Sequence, residues 1–263
     1  MRIVVLVKPV PDPAAAAERL GPDRRLDRAA SPAVVNGNDE YALEAALKLT
    51  ETQGGEVVLL SMAPATATET MRKALAMGAG RGVLVTDPAL AGSCIVGTAR
   101  VLAAALRTLQ FDLVLSGADT SDGLAGVVGA SIAAQLRLPY LSYAARIEPD
   151  PAAGRVRVRR LSPTGYDLLE APMPALIACT QVLGEPRYPS LKGIMGARSK
   201  EIATLGLADL ELDAAGVGGA AATTRVLASR KPPARAATEV VRAPASEAAR
   251  RVAEFLVERR IVA

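Results

Sequence analysis

The chain has no histidine and no tryptophan among its 263 residues, and it carries only two phenylalanines and five tyrosines. The missing histidine excludes serine–histidine and cysteine–histidine catalysis, histidine metal ligands and histidine proton shuttles. Because large aromatic side chains are scarce, the core has to be built from alanine, valine and leucine. Such a core is typical of helices that pack closely on a parallel sheet.

Cysteines are also few. Cys94 and Cys179 are the only two, and they lie far apart in the sequence, each in an apolar stretch. Neither belongs to a Cys-x-x-Cys pair. We interpret both as small buried side chains in a protein kept under reducing conditions.

Long apolar runs without a charge or a helix breaker are absent, so we expect no direct membrane insertion. A strand pattern begins at Arg2, and no signal or transit pattern precedes it. The net charge of +4 is modest, and no basic stripe interleaved with aromatic residues indicates nucleic acid as a partner. We therefore expect a soluble, cytoplasmic protein.

What the chain does contain is an alternation of strand and helix patterns over its first half. Apolar, β-branched runs predict strands at residues 3–7, 57–61, 83–86 and 113–116. Apolar residues at helical spacing predict helices at residues 39–50, 66–77, 93–109 and 123–136. The first of these helices has Asn38 or Asp39 as its predicted cap. This order predicts right-handed crossovers and a doubly wound, mostly parallel α/β sheet of the Rossmann-like type.

The pattern changes after residue 138. Short strand patterns follow at residues 139–143, 155–159, 166–169 and 175–179. Residues 155–159 alternate strictly between arginine and valine, which predicts a half-buried strand with one basic face. We interpret that face as solvated. Together these segments predict an antiparallel or mixed extension at one edge of the sheet.

We divide the chain into an α/β domain over residues 1–212 and a linker or arm over residues 213–263. Alanine and glycine dominate residues 214–222, and Lys231-Pro232-Pro233 follows, which indicates an extended connection. The arm ends in an amphipathic helix with Ser246 as its predicted cap. The apolar side of this helix is formed by Ala249, Val252, Ala253 and Leu256. Because an isolated helix cannot bury that side, we expect it to dock on the domain or on a partner.

One predicted strand end carries a glycine-rich turn, residues 117–126, and ligands of doubly wound sheets bind at such ends. Small residues there leave backbone N–H groups accessible, and the start of the following helix favours an anion. The start of a helix without any ligand explains the same pattern nearly as well. Asp119 and Asp122 also form a carboxylate pair that is able to bind Mg²⁺, as in a hydrolase or transferase. We prefer to interpret Asp122 as a helix cap.

Residues 184–195 combine a rigid turn with a cluster of apolar side chains. Two prolines fix φ on either side of a single tyrosine. Three apolar residues follow at i, i+3 and i+4 and share one face if a helical turn forms: Leu191, Ile194 and Met195. Three basic residues surround them: Lys192, Arg198 and Lys200. An apolar cluster with a basic rim is typical of a surface that grips another protein, although a loop whose apolar residues enter the core has the same pattern.

This run resembles the signature of the electron transfer flavoprotein β subunit, N-E-P-R-Y-x-x-L-P-N-I-M followed by basic residues. Gly184 stands in place of the first asparagine, and Lys192-Gly193 stands in place of Pro-Asn. Three other segments are similar to motifs of the same family: residues 7–12 to V-K-x-V-P-D, residues 36–42 to N-P-x-D-E-x-A, and residues 74–79 to A-L-A-M-G-A. The resemblance extends over the whole chain.

The resemblance implies an electron carrier that catalyses nothing by itself. A β subunit of this family pairs with an α subunit, which holds most of the redox FAD. The pair carries electrons from acyl-CoA or related dehydrogenases of fatty acid oxidation to a membrane quinone oxidoreductase or another acceptor. Residues 184–200 correspond to the recognition loop, whose leucine, here Leu191, inserts into an apolar pocket of an acyl-CoA dehydrogenase. The implied partner-binding residues are Glu185, Arg187, Tyr188, Leu191, Ile194 and Met195.

The resemblance also implies an AMP in this subunit, or a second FAD in electron-bifurcating members. The adenine and ribose would be framed by Leu6, Asn36, Gly37, Asn38, Asp39 and Met62. The phosphate would lie on Gly117, Asp119, Ser121, Asp122, Gly123, Ala125, Gly126, Val127 and Val128. The sequence departs from the family in two places: Gly126-Val127-Val128 replaces a polar phosphate-binding cluster, and Leu161 replaces an acidic residue that positions the mobile FAD domain. Each lost hydrogen bond to a charged group costs roughly 1.5–3 kcal/mol.

Three interpretations of function therefore stay open. The chain is the docking subunit of a conventional carrier, a bifurcating-type subunit with its own FAD, or a stand-alone adenine-nucleotide-binding sensor domain, a role that many doubly wound domains have. The apolar cluster and the C-terminal arm favour the first two. We predict no catalytic residue and no metal site.

Overall fold

The computed structural model describes residues 1–15, 19–230, 232–233, 238 and 240–262. The chain forms two compact units, Met1–Val226 and Leu227–Ala263. Lys231, part of the predicted extended connection, lies outside the described residues.

The strands of the described residues are β1 (Arg2–Leu6), β2 (Pro9–Pro11), β3 (Ala33–Val35), β4 (Glu56–Met62), β5 (Arg81–Val85), β6 (Leu113–Gly117), β7 (Tyr140–Asp150), β8 (Arg155–Ser162), β9 (Gly165–Pro172), β10 (Ala175–Cys179) and β11 (Ile202–Leu205). The helices are α1 (Gly37–Gln53), α2 (Thr68–Met77), α3 (Ile95–Arg107), α4 (Val128–Leu136), α5 (Leu191–Ala197) and α6 (Ala245–Glu258).

Nine strands form one sheet in the order β11-β5-β4-β1-β6-β10-β7-β8-β9, and β2 and β3 form a separate antiparallel pair. The pairs from β11 to β7 run parallel. The β7–β8 and β8–β9 pairs are antiparallel. The prediction of a doubly wound, mostly parallel sheet with an antiparallel edge is therefore confirmed.

The strand β10 was predicted in the edge extension, and that prediction is wrong. It lies between β6 and β7, parallel to both, and all five of its residues are buried. A strand covered on both faces needs a continuous apolar run, which Ala-Leu-Ile-Ala-Cys provides. The strand predicted at residues 139–143 is also longer than expected, because β7 continues to Asp150 and pairs with β8 along its second half.

Helices cover both faces of the sheet. Alternate residues of β1 point to opposite faces, as the pleat of a strand requires. Ile3 and Val5 join a core that includes buried residues of α1 and α2. Val4 and Leu6 join a second core that includes buried residues of α3 and α4. Both cores consist mainly of alanine, valine and leucine, which confirms the expectation from composition.

Three predicted helix starts are wrong. The helix α1 begins at Gly37 rather than at residue 39, so neither Asn38 nor Asp39 caps it. The helix α4 begins at Val128 rather than at residue 123. Leu124 and Gly126 have φ values of 48° and 62°, and a right-handed helix cannot pass through positive φ. The helix α6 begins at Ala245 after Pro244, so Ser246 is not its cap.

The two cysteines differ, which corrects the interpretation of both as buried. Cys179 is buried, as expected, whereas Cys94 is partly exposed at the start of α3. A hydrogen bond from the backbone N–H of Gly97 is the main reason that the pKa of the Cys94 thiol falls to about 6.

The second unit contains α6. Its ion pairs join residues one turn apart, Arg250 to Glu254 and Arg251 to Glu247. The Arg259 guanidinium lies 5.0 Å from the centre of the Phe255 ring. Within the described ranges, no helix combines the length and the apolar character needed to cross a membrane.

Residues 214–222 belong to the first unit. Val217 is buried in the core on the α3 side, and the backbone N–H of Gly219 donates to Ala91 O at 2.8 Å. This alanine- and glycine-rich segment is thus packed on the domain before the chain enters the second unit.

Candidate functional site

The strand order reverses between β1 and β6. From β1 the chain crosses to β4 on one side, and it later returns to β6 on the other side. Lys8 follows β1, and residues 118–127 follow β6 and lead into α4. The carboxyl ends of two such strands form the crevice in which doubly wound sheets bind ligands.

A buried carboxyl group holds the two strand ends together. Asp39, in the first turn of α1, accepts hydrogen bonds from the backbone N–H groups of Lys8 at 2.8 Å and Gly117 at 3.2 Å. Burial raises the pKa of Asp39 to about 7, although these hydrogen bonds and the one with Asn36 lower it. A Cβ at Gly117 would lie 2.6 Å from Asp39 Oδ1. The position therefore requires glycine.

Two asparagines attach the loop after β6 to the start of α1. Asn36 Nδ2 donates to Asp119 O at 2.9 Å, and Asn36 Oδ1 accepts from the backbone N–H of Ser121 at 3.1 Å. Asn38 Nδ2 donates to Asp119 Oδ1 at 2.6 Å. These contacts bring together six of the residues that the resemblance implies for a nucleotide: Asn36, Asn38, Asp39, Gly117, Asp119 and Ser121.

Asp122 is not a helix cap, which corrects our preferred interpretation of it. Its carboxylate accepts hydrogen bonds from Lys8 Nζ at 2.8 Å and from Arg28 Nη2 at 2.7 Å. The side chain is only 1% exposed. Burial works against ionisation, but the contacts with the two cations outweigh it and hold the pKa of Asp122 below its ordinary value. No motif pointed to Arg28, since the contact joins residues 94 positions apart.

Of the remaining residues implied for a nucleotide, Gly37 is the exposed first residue of α1, and the others divide into two groups. Leu6 is nearly buried in the core on the α3 and α4 side, and Met62 packs against the same core. Gly123, Ala125, Gly126, Val127 and Val128 form the exposed or partly exposed approach to α4. Lys8 and Arg28 share the carboxylate of Asp122 and so leave a net positive charge beside this glycine-rich backbone. The chemistry of this donor set fits a phosphate.

The structure does not favour Mg²⁺ at Asp119 and Asp122. The carboxylate of Asp122 is bound by Lys8 and Arg28, and that of Asp119 is bound by Asn38. Over the ranges that the structure describes, no three histidine, cysteine, aspartate or glutamate side chains are grouped to hold a metal ion.

The second candidate site is the 184–200 segment, which contains α5. Ser190 caps the helix by accepting a hydrogen bond from the backbone N–H of Gly193 at 3.1 Å. Leu191 is 75% exposed, Met195 65% and Ile194 48%. Tyr188, just before the helix, is 96% exposed. The apolar residues thus share an exposed helical turn rather than entering the core.

Lys200 does not belong to the basic rim, which corrects its predicted place. Its Nζ donates to two carbonyl oxygens at the end of α2, Leu75 O at 3.0 Å and Ala79 O at 2.6 Å. Arg72 of α2 donates in turn to Ala197 O at 2.7 Å. Lys192 and Arg198 are exposed.

Arg187 is engaged by two carboxylates of α1. Its Nε lies 2.8 Å from Glu44 Oε2, and its guanidinium also pairs with Glu51. Burial of Glu44 is offset by its hydrogen bonds with Arg187, so the pKa of Glu44 lies below its ordinary value. The contacts with both carboxylates raise the pKa of Arg187. Glu185 lies at the surface.

Two glycines of α5 give a matched pair of variants. A Cβ at Gly193 would overlap the carbonyl oxygen of Ala76, whereas a Cβ at Gly196 would have nothing within 4 Å. We expect Gly193→Ala to weaken the packing of α5 on α2 by about 1–3 kcal/mol. Gly196→Ala should instead stabilise the helix by about 0.5–1 kcal/mol. Hydrogen exchange of the α5 amides measures both effects, and equal exchange in the two variants would contradict the close approach.

The basic face of β8 is paired within the sheet. Arg155 and Arg157 form ion pairs with Glu170 on β9, and the Arg159 guanidinium lies 5.5 Å from the centre of the Tyr166 ring. These contacts agree with a solvated strand face. Leu161 lies opposite Tyr166 in the same hairpin and is partly exposed.

Together, fold and site define a doubly wound α/β protein with a polar crevice at its switch point and, elsewhere on the domain, an exposed apolar helix that packs on α2. The family model described as "Electron transfer flavoprotein domain" matches residues 24–210. An "Electron transfer flavoprotein subunit beta" of Mycobacterium bovis is 38% identical over 266 residues, which cover 99% of each chain. The subunit of the same name from Thermoanaerobacterium thermosaccharolyticum is 36% identical over 264 residues and covers 100% of each. The chain belongs to the β-subunit family of electron transfer flavoproteins.

A further relative carries a different name. The "Caffeyl-CoA reductase-Etf complex subunit CarD" of Acetobacterium woodii is 35% identical over 244 residues, which cover 92% of each chain. Membership of this family makes the chain an electron-carrier subunit, and a β subunit implies an α subunit as its partner.

Proposed function

We propose that this chain, paired with an α subunit, takes electrons from acyl-CoA-type dehydrogenases of fatty acid oxidation. The pair passes them to a membrane quinone oxidoreductase or another acceptor. The chain braces the flavin domain of the α subunit and offers α5 to the dehydrogenase. The observation that carries this proposal is the exposure of Leu191, Ile194 and Met195 on one helical turn. An exposed apolar cluster of this kind serves as an anchor in a partner's pocket.

The contacts with a dehydrogenase are proposed for the exposed residues of the 184–200 segment. Tyr188 and Leu191 project furthest into solvent, and Ile194 and Met195 flank Leu191 on the helix. Glu185 and the exposed Lys192 provide charge around this cluster. Burial of the Leu191 side chain alone is worth about 1.5–3 kcal/mol, which is enough to dominate a transient complex.

For cofactors, we propose an FAD held mostly by the α subunit and an AMP in this chain. The FAD supplies the redox chemistry when bound, by accepting and releasing electrons. For the AMP, Leu6 and Met62 supply apolar contacts, and polar groups of residues 36–39 hydrogen-bond the adenine and ribose. The backbone of residues 117–128 receives the phosphate. Lys8 and Arg28, which together exceed the charge of Asp122 by one, compensate part of the phosphate charge. Backbone N–H donors thereby take the place of the polar phosphate-binding side chains that Gly126-Val127-Val128 replaces in this sequence.

A second candidate is a bifurcating-type subunit with its own FAD. The relative named as part of the caffeyl-CoA reductase-Etf complex supports keeping this candidate. It needs the same crevice, with the flavin nucleotide in place of AMP. A stand-alone sensor domain is the third candidate, and it requires a chain that never associates with an α subunit.

Small molecules released from the purified heterodimer test these candidates. We expect one FAD and one AMP per heterodimer, quantified by mass spectrometry and flavin absorbance. Two FAD per heterodimer would establish the bifurcating type, and failure to associate with an α subunit would contradict the proposal.

Lys8→Ala should retain less AMP after dialysis, because a hydrogen bond to a charged group is worth about 1.5–3 kcal/mol. Lys73→Ala, which removes an exposed lysine of α2, is the matched control.

A further inference from the structure

Charged groups attach the 184–200 segment to the domain at two places. Before α5, the Arg187 guanidinium spans Glu44 and Glu51 on α1, and the backbone N–H of Arg187 donates to Glu44 Oε2 at 3.1 Å. The Glu44 side chain is only 5% exposed. The planar guanidinium contacts both carboxylates through several N–H groups, a geometry that resists reorientation.

After α5, the attachment is made by α2. Arg72 donates to Ala197 O and also to Lys200 O, and Lys200 Nζ donates to Leu75 O and Ala79 O. Both attachments therefore use charged groups to bind α1 and α2, whose apolar residues lie in the core.

Between these attachments, α5 has little apolar packing of its own. Leu191, Ile194 and Met195 face solvent, and within the helix only Ala197 is buried. A helix of this length is not stable in isolation. Its orientation therefore depends on the contacts at its two ends and on the close approach of Gly193 to Ala76 O of α2. A fixed orientation lowers the conformational entropy lost when a partner binds.

We infer that Arg187 is a positioning residue for docking, which holds α5 in its binding orientation through Glu44 and Glu51 without contacting the partner itself. This inference rests on the proposed function of the 184–200 segment. It assigns the guanidinium to ion pairs within the chain rather than to contacts with the partner. The neighbouring Tyr188 and Leu191 are then the side chains that contact the dehydrogenase.

Electron transfer to the purified heterodimer, measured with an acyl-CoA dehydrogenase reduced by its acyl-CoA substrate, tests the inference. We expect Arg187→Ala to raise KM for the heterodimer about tenfold with little change in kcat, because orientation is lost before the complex forms. Hydrogen exchange of the α5 amides should become at least about tenfold faster, since local opening is easier. Arg187→Lys keeps the charge but not the planar fork, so both effects should be partly restored.

Two variants separate this inference from the proposed function. Leu191→Ala should raise KM while α5 exchanges at the native rate, because the side chain is exposed. Arg107→Ala removes an arginine that attaches α3 to Gln135 O, far from α5 in the sequence, and both readouts should stay native. Native exchange in Arg187→Ala would overturn the inference, and so would faster exchange with an unchanged KM. A native KM in Leu191→Ala would instead contradict the proposed docking function.

Discussion

Replacing Leu191 with alanine should lower kcat/KM for electron acceptance from an acyl-CoA dehydrogenase by about 10- to 100-fold. The physical reason is the loss of an apolar anchor whose burial in a partner's pocket is worth about 1.5–3 kcal/mol. In the free protein the same side chain is mostly exposed. The variant should therefore keep its thermal unfolding midpoint and its flavin content, which distinguishes a docking defect from misfolding.

The matched control is Leu20→Ala. Leu20 is also an exposed leucine, but it lies in the first part of the chain and outside the 184–200 segment. We expect this variant to transfer electrons at the native rate. Stopped-flow measurements at several heterodimer concentrations provide kcat/KM for both variants. Native kinetics in Leu191→Ala would remove the basis for placing the dehydrogenase contact on α5.

The stability of the protein should fall between pH 5 and pH 7.5 by about 2–3 kcal/mol because of one residue, Asp39. Its pKa is about 7 in the folded protein against an ordinary value of 3.8. Between these two values the folded state holds a proton that the unfolded state has released. The stabilising contribution is thus complete below pH 3.8 and is lost as the pH rises through 7.

Comparison with Asp39→Asn isolates this contribution. The variant has no carboxyl group to ionise, so the difference in unfolding free energy between wild type and variant should change by about 2–3 kcal/mol between pH 5 and pH 7.5. Urea titrations of the heterodimer at the two pH values measure that difference. Asp23→Asn, which removes an exposed carboxyl group, serves as the control and should keep the wild-type slope. A pH-independent difference for Asp39→Asn would show that burial does not raise this pKa.

Local patterns predicted the parts of the fold that depend on neighbouring residues. The β-branched run at β1 and the helical spacing in α3 each specify one element within a few residues. The spacing of Leu191, Ile194 and Met195 likewise predicted the helical turn of α5. These predictions are confirmed because backbone propensity and apolar periodicity depend only on residues that are close together in the sequence.

Other features depend on residues that are distant in the sequence. The position of β10 inside the parallel sheet follows from the path of the whole chain, and a short apolar run does not encode it. The start of α4 depends on a loop that is held by Asn36 and Asn38. The partners of Asp122 come from Lys8 and Arg28, so only the folded chain could show that this carboxylate is not a helix cap.

The sequence by itself determined the fold class, the alternation of strands and helices, and the family to which the motifs point. The tertiary structure decided which side chains face solvent and which hold the backbone. Leu191 is exposed while Arg187 and Lys200 are engaged with α1 and α2, although all three lie in one short segment. Local patterns cannot make this distinction, because it depends on which carboxylates and carbonyl groups the sheet brings within hydrogen-bonding distance.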